Sequence, residues 1–181
     1  MTEEPEIRAR APLTPFRRWL LRGVLLAVIV LAPYLITYNQ PAPELGRIFL
    51  GGLKPCGKSP NCVCSEWTFL GSDQAHLFRP RHFVNPLQLA DDSSAEWKEL
   101  VEIVGRQPGI KIVESNDRYL RAERSTTIYG LIDDFELARL AGGTVLFRSA
   151  ARLAYSDFGR NRRFVERIRT EFEKRPREQW F

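Results

Sequence analysis

An apolar run near the N-terminus, Trp19 to Tyr38, constrains this chain more than any other feature. From Gly23 onward the run has no charged side chain, and about 20 apolar residues suffice to cross a bilayer as a helix. The arginines near its start are Arg8, Arg10, Arg17, Arg18 and Arg22. Because basic residues concentrate on the cytoplasmic side, the run predicts a single-pass anchor in the inner (cytoplasmic) membrane, with the N-terminus cytoplasmic and the remainder periplasmic.

This interpretation divides the chain into four parts. They are a cytoplasmic tail (1–18), a transmembrane helix (19–38), a linker (39–53) and an extracytoplasmic domain (54–181). Two alternatives stay open: a buried helix of a soluble core, although the run has no polar side for water, and a cleaved signal peptide ending near Ala42, although Pro43 follows it. The net charge of +5 falls to +3 without residues 1–39, which contain five arginines and three glutamates. Nucleic acid is therefore not an expected partner.

Three cysteines fall within nine positions, in "CGKSPNCVC". In an oxidising compartment such neighbours are first interpreted as a disulfide. Gly57 and Pro60 suit a tight loop between Cys56 and Cys62, so this pair is the expected disulfide, and Cys64 is left outside it. A zinc site with His76 or His82 as the fourth ligand is the alternative, but the cysteine spacing is atypical. No metal and no cofactor are expected.

The remaining pattern predicts an α+β fold. A strand in "HFVNPLQLA" precedes a helix with Trp97, Leu100, Val101 and Val104 on one side. Four β-rich segments follow: "IKIVES", "RYLRAERST", "IDDFELARL" and "GTVLFRSAARL". A last helix, "GRNRRFVERIRTEFEKRP", has an apolar side of its own. The order strand, helix, four strands, helix predicts a curved antiparallel sheet with both helices on one face.

Polar residues alternate along three of the predicted strands. Because alternate side chains share a face of a sheet, the expected cluster on the open face consists of Arg121, Glu123, Asp134, Glu136, Arg148 and Arg152. Two interpretations remain. The face is either solvated and crossed by weak ion pairs, or it is a groove whose arginines bind a phosphate or carboxylate.

Two stretches, "CGKSPNCVCS" and "RSAARLAYSDFGRNRRFVERIR", together with "YLRAERST" and "DDFEL", resemble an uncharacterised family known as domain of unknown function 1499. The resemblance covers residues 54 to 175. Its signature falls on Ser59, Pro60, Asn61, Cys62, Ser65, Asp133, Asp134, Glu136, Arg148, Ser149, Arg152, Ser156, Asp157, Gly159, Asn161 and Arg163. Cys64, Ala151 and Ala154 depart from the family pattern. The resemblance implies the folded unit and the place of a site, but no reaction.

The segment "YSDFGRN" has two compatible interpretations. Ser156 or Asp157 can cap the last helix, while Asn161 hydrogen-bonds nearby backbone. Alternatively, Ser156, Asp157 and Asn161 contact a ligand, because a helix N-terminus beside Arg148 and Arg152 would attract an anion.

These features predict a membrane-tethered domain that binds an anionic lipid, a small amphiphile or a partner protein without catalysing a reaction. The alternative is a hydrolase or metal-dependent enzyme that uses the carboxylates of Asp133, Asp134 and Glu136. Against it, Arg148 and Arg152 would neutralise these groups, and no nucleophile or base stands out.

Overall fold

The computed structural model describes residues 14–38, 52–65, 81–90, 94–126, 131–153 and 155–175. The chain divides into two compact units, residues 1–38 and 39–181. In the first unit Pro15–Tyr38 forms one helix, α1. No helix within the described residues is both long and apolar enough to cross a membrane, so the predicted transmembrane helix is not confirmed.

The second unit is an α+β domain. Its described helices are α2 (Ser94–Gly105) and α3 (Arg160–Lys174). Its described strands are β1 (Cys62–Cys64), β2 (Leu87–Gln88), β3 (Ile110–Ser115), β4 (Tyr119–Ser125), β5 (Ile132–Arg139) and β6 (Thr144–Ala151). The α+β class and the antiparallel sheet are therefore confirmed.

The sheet has the order β1-β6-β5-β4-β3, and β2 also pairs with β6. Strands β3 to β6 form the predicted meander, with every pairing antiparallel. The N-terminal side differs from the prediction in two ways. The strand expected in "HFVNPLQLA" is reduced to Leu87–Gln88, after Pro86, whose ring nitrogen cannot donate to a ladder. The second half of the cysteine segment, Cys62–Cys64, forms a further strand, β1, which the predicted order did not include.

Both helices pack on one face of the sheet, the helix face. Trp97, Leu100, Ile103 and Val104 of α2 and Phe164, Val165, Ile168 and Phe172 of α3 meet the inward residues of the strands there. Phe135 of β5 lies at the centre, with its ring edge-on to Phe164 at a centroid separation of 5.0 Å. Within the described part of the chain, this core consists of residues between 63 and 172, so the second unit contains a hydrophobic core of its own and can be produced alone.

The opposite face is also covered. Leu53 packs on Tyr119, Ala138 and Leu146 there. Cys56 and Cys62 pack on Ala150 of β6. The folded domain consequently begins before residue 54, and the sheet is enclosed on both sides at these positions.

Candidate functional site

The strand register brings the predicted charged residues together on one face, opposite the helices. Across neighbouring strands, Arg121 is opposite Glu136, which is opposite Arg148. In the next row, Glu123 is opposite Asp134. We call this surface the charged face; its residues are Arg121, Glu123, Asp134, Glu136, Arg148 and Arg152.

The expectation that this face is open is wrong. Asp134, Glu136 and Arg148 are buried. The disulfide segment accounts for part of the cover, because β1 lies beside β6 and places Cys64 opposite Arg148. Burial changes the energetics of the cluster, since water no longer screens the ion pairs as it does on a solvated face.

Arg152 is the most fully paired cation of the charged face. Its Nε and Nη2 donate to the two oxygens of Asp134 at 2.8 and 2.7 Å, and Nη2 also donates to Glu123 at 2.6 Å. Burial alone would lower the pKa of this guanidinium, but the hydrogen bonds to Asp134 and Glu123 and their negative charges outweigh it and raise the pKa. Arg152 therefore stays charged and ties β6 to β5 and β4.

Glu136 is held from two sides. Arg148 Nη1 donates to one carboxylate oxygen at 3.0 Å, and the Tyr119 hydroxyl donates to the other at 2.6 Å. Burial, followed by the negative charge of Glu136 and their hydrogen bond, raises the pKa of Tyr119 well above its ordinary value. The phenol thus acts as a permanent hydrogen-bond donor to Glu136.

Arg121 differs from the other two arginines. The carboxylate oxygens paired with it, on Glu123 and Asp134, lie 4.0 Å from its Nη2, too far for a hydrogen bond. Its Nε–H is buried and has no hydrogen-bond partner among the described residues, and the same holds for the Nε–H of Arg148. The Arg121 side chain is 16% exposed, so it lies near the accessible edge of the cluster. Two guanidinium donors on one face thus have unused hydrogen-bonding capacity.

Asp133 does not join Asp134 and Glu136. Because Asp133 directly precedes Asp134 in β5, its side chain points to the helix face. There Arg124 Nη2 donates to Asp133 at 2.6 Å, and Arg160 donates through Nε at 2.9 Å and Nη2 at 2.5 Å. The predicted group of three carboxylates is thus split by the sheet. Among the residues that the structure describes, no group of three histidine, cysteine or acidic side chains could hold a metal ion.

Asn161 lies on the helix face, away from the charged face, while Asp157 contacts the start of α3 and Ser156 Oγ accepts from the N–H of Phe158. Asn161 accepts a hydrogen bond from Ser149, an inward residue of β6, at 2.7 Å and donates to the carbonyl of Asn61 at 3.0 Å. The two Asp157 oxygens accept from the backbone N–H groups of Gly159 and Asn161 at 2.9 and 2.8 Å. The chain's own carboxylate therefore satisfies the start of α3, which agrees with capping. The expected anion site shared with Arg148 and Arg152 is not assembled.

The cysteine arrangement agrees with the leading prediction. Cys56 and Cys62 form a disulfide with a Cα–Cα distance of 5.6 Å. Cys64 keeps its thiol, is buried, and accepts a hydrogen bond from the backbone N–H of Cys56 at 3.4 Å. His82 contacts the Cys62 carbonyl oxygen through Nδ1 at 2.9 Å; the other histidine of the zinc alternative, His76, lies outside the described residues.

Two contributors to the site were not named among its predicted residues. Tyr119 shares a strand side with Arg121 and Glu123, so the alternation could have included it. Leu53 was assigned to the linker, and no sequence signal indicates that it folds back over β5 and β6. Its place depends on a contact between residues distant in the sequence.

The site thus defines an α+β domain with a disulfide-bonded segment and a buried, charge-balanced cluster on the sheet face opposite its helices. Residues 52–172 match the family model described as protein of unknown function (DUF1499). Because the match covers more than half of the chain, this protein belongs to that family. No curated protein matches it.

Proposed function

We propose that this protein is a membrane-tethered domain of the cell envelope that binds the carboxylate or phosphate head group of an amphiphile at the charged face, without catalysing a reaction. The head group would come from a lipid or from a small acid. Arg121 is the first contact, and the Nε–H of Arg148 is the second donor.

The state of Arg121 carries this proposal. A buried guanidinium is normally paired at hydrogen-bond distance, as Arg152 is with Asp134. Arg121 Nη2 instead lies 4.0 Å from the carboxylate oxygens of Glu123 and Asp134, while Glu136 and Glu114 lie opposite Arg121 in the neighbouring strands. An oxygen acceptor that enters at this edge would gain charge-assisted hydrogen bonds and would complete the cluster. In the adjoining row Tyr119 and Leu146 are already buried beside Leu53, so the support from this face concerns the head group of the amphiphile.

The carboxylates of this face support binding rather than acid–base chemistry. Asp134 accepts two hydrogen bonds from Arg152, and Glu136 accepts one each from Arg148 and Tyr119. A general base must be able to take a proton from a substrate, whereas these oxygens already accept hydrogen bonds from Arg152, Arg148 and Tyr119. Asp133 lies on the other face of the sheet, so it cannot cooperate with them.

The tether is supported by the arginine-flanked apolar run at Trp19 to Tyr38, and an oxidising compartment is supported by the Cys56–Cys62 disulfide. Reporter fusions test this placement. An alkaline phosphatase fused after residue 181 should be active in cells, and alkaline extraction should leave the full chain in the membrane fraction. An inactive fusion, or a chain released by alkali, would remove the tether from the proposal.

Binding is tested by native mass spectrometry of residues 39–181 mixed with a long-chain fatty acid or a lysophospholipid. These probes separate a carboxylate from a phosphate head group. We expect an adduct with one of them, at least about tenfold weaker in Arg121→Gln, which loses charge-assisted hydrogen bonds. The exposed Arg106 supplies the matched control, Arg106→Gln, which should bind as the wild type does. Absence of both adducts, or equal binding by the two variants, would reject the proposal.

A further inference from the structure

The segment between β6 and α3 exposes two aromatic rings. In this segment, residues 155–159, Tyr155 is 75% exposed and Phe158 is 86% exposed. Across the described residues between 52 and 175, the other exposed large hydrophobic residues are Ile112 and Val113 of β3, and Val113 is only 44% exposed. We call residues 155–159 the aromatic loop. Neither the core nor the charged face accounts for these rings.

The backbone of the aromatic loop is held in place. Ser156 Oγ accepts from the N–H of Phe158 at 3.2 Å, and Arg163 Nη1 donates to the carbonyl oxygen of Phe158 at 2.9 Å. Asp157 fixes the following residues, because its two oxygens accept from the N–H of Gly159 in the loop and the N–H of Asn161 in α3. The Phe158 ring is thus presented by a fixed backbone.

Phe158 is an unfavourable choice for its position on two counts. Its φ is 53°, and no other residue apart from glycine has a positive φ in the described part of the chain. Left-handed backbone is unfavourable for a bulky residue, and an exposed phenyl ring gains nothing from burial. Glycine or asparagine would suit the backbone better. The domain as described leaves this large ring unused.

The surroundings of the loop are positively charged. The first turn of α3 has no acidic residue and contains Arg160, Arg162 and Arg163, although a helix N-terminus is already the positive end of the dipole. Asp133 accepts from Arg160, Asp157 accepts from the N–H of Asn161, and Arg162 donates to the backbone carbonyls of Arg81 and Phe83. Arg163 is exposed and donates to the carbonyl oxygen of Phe158, so a positive charge lies beside this residue at the surface and complements an anionic partner.

We propose that the aromatic loop docks on an anionic membrane surface. Phe158 and Tyr155 would enter the interfacial region, where aromatic rings are favoured. The exposed Arg163 would face the lipid phosphates, which guanidinium groups recognise well. The proposal rests on the placement of the domain beside a membrane in the proposed function, but it uses different residues from the charged face. Docking would orient the domain relative to the bilayer.

Vesicle sedimentation of residues 39–181, which contain their own core but not α1, tests the proposal. Wild type should sediment with phosphatidylcholine vesicles that contain phosphatidylglycerol, and high salt should weaken this binding. Phe158→Asn should lower the partition coefficient at least about tenfold, because the variant lacks the ring that would be buried in the membrane interface. Since asparagine tolerates left-handed backbone, the unfolding temperature of Phe158→Asn should equal or exceed that of wild type. Val113→Thr removes exposed apolar surface from β3 and should bind normally.

Three results would overturn the inference: no sedimentation of wild type, equal binding to vesicles without phosphatidylglycerol, or unchanged binding of Phe158→Asn. The Arg121→Gln variant separates this inference from the proposed function. It should lose the amphiphile adduct and still sediment with anionic vesicles, whereas Phe158→Asn should show the opposite pattern. If both variants lose both activities, the two surfaces are not independent and the separate role of the loop is rejected.

Discussion

Asp133→Asn tests whether the signature aspartate on the helix face has a structural role. Asparagine keeps the size of the side chain and removes its charge. Asp133 is fully buried, and its two oxygens accept three hydrogen bonds from Arg124 and Arg160. The substitution leaves both guanidinium groups without their carboxylate, and breaking a buried pair by removing one partner costs about 3–5 kcal/mol.

Two features place the expected loss at the lower end of that range. The Arg160 side chain is 31% exposed, so it can turn towards water when its partner is neutral. Arg124 lies over the Phe164 ring at 4.4 Å from its centroid and keeps that contact. We therefore expect the free energy of unfolding to fall by about 3 kcal/mol, which is a large part of the stability of a domain of this size.

Urea unfolding of residues 39–181, followed by circular dichroism, measures this loss. With a slope of about 1.5 kcal/mol per M, the midpoint should fall by about 2 M. Asp117→Asn, a matched change at an exposed site between β3 and β4, should shift it by less than about 0.5 M. Amphiphile binding by folded Asp133→Asn should equal that of wild type. A loss below about 1 kcal/mol, or selective loss of binding, would refute the structural role.

Three further predictions concern the other face of the sheet. The pKa of Tyr119 is raised in the folded domain, so its contribution to stability is complete below the ordinary pKa of 10.0 and is lost as the pH rises above that value. Between pH 9 and pH 11, Tyr119→Phe should therefore lose less stability than wild type in urea titrations. An equal loss in the two proteins would contradict this. Leu53→Ala should cost about 2–4 kcal/mol, and a cost below about 1 kcal/mol would show that Leu53 covers nothing. Breaking Cys56–Cys62, by Cys56→Ser with Cys62→Ser, should cost about 2 kcal/mol on a chain-entropy estimate, and unchanged stability would contradict it.

The elements with strong local signals were predictable from the sequence. The two helices of the domain follow from apolar residues at helical spacing and from the turn signals at their ends. The meander follows from short β-rich segments with close turns, because sequential strands of that kind pair antiparallel. The Cys56–Cys62 disulfide follows from the short segment between the two cysteines, in which Gly57 and Pro60 suit a tight loop. Each of these depends on residues close in the sequence.

Two features of the site did not follow from the sequence. The cover over this side of the sheet depends on Leu53 and on the disulfide segment, which are far in sequence from the strands that they contact. The separation of Asp133 from Asp134, in contrast, is simple alternation within a strand, which the predicted six-residue cluster respected and the enzyme alternative did not. The direction of Asn161 depends on which face α3 covers, and only its packing against β6 decides that.

The sequence by itself determined that the domain is α+β, that its strands run antiparallel, that two cysteines form a bridge, and that six charged residues share a face. Those properties depend on period, spacing and local geometry, which are written into neighbouring residues. Only the tertiary structure decided that this face is buried, that Arg152 is fully paired while Arg121 is not, and that the start of α3 lies on the opposite side. These depend on contacts between distant segments, whose geometry is set by the packing of the whole domain.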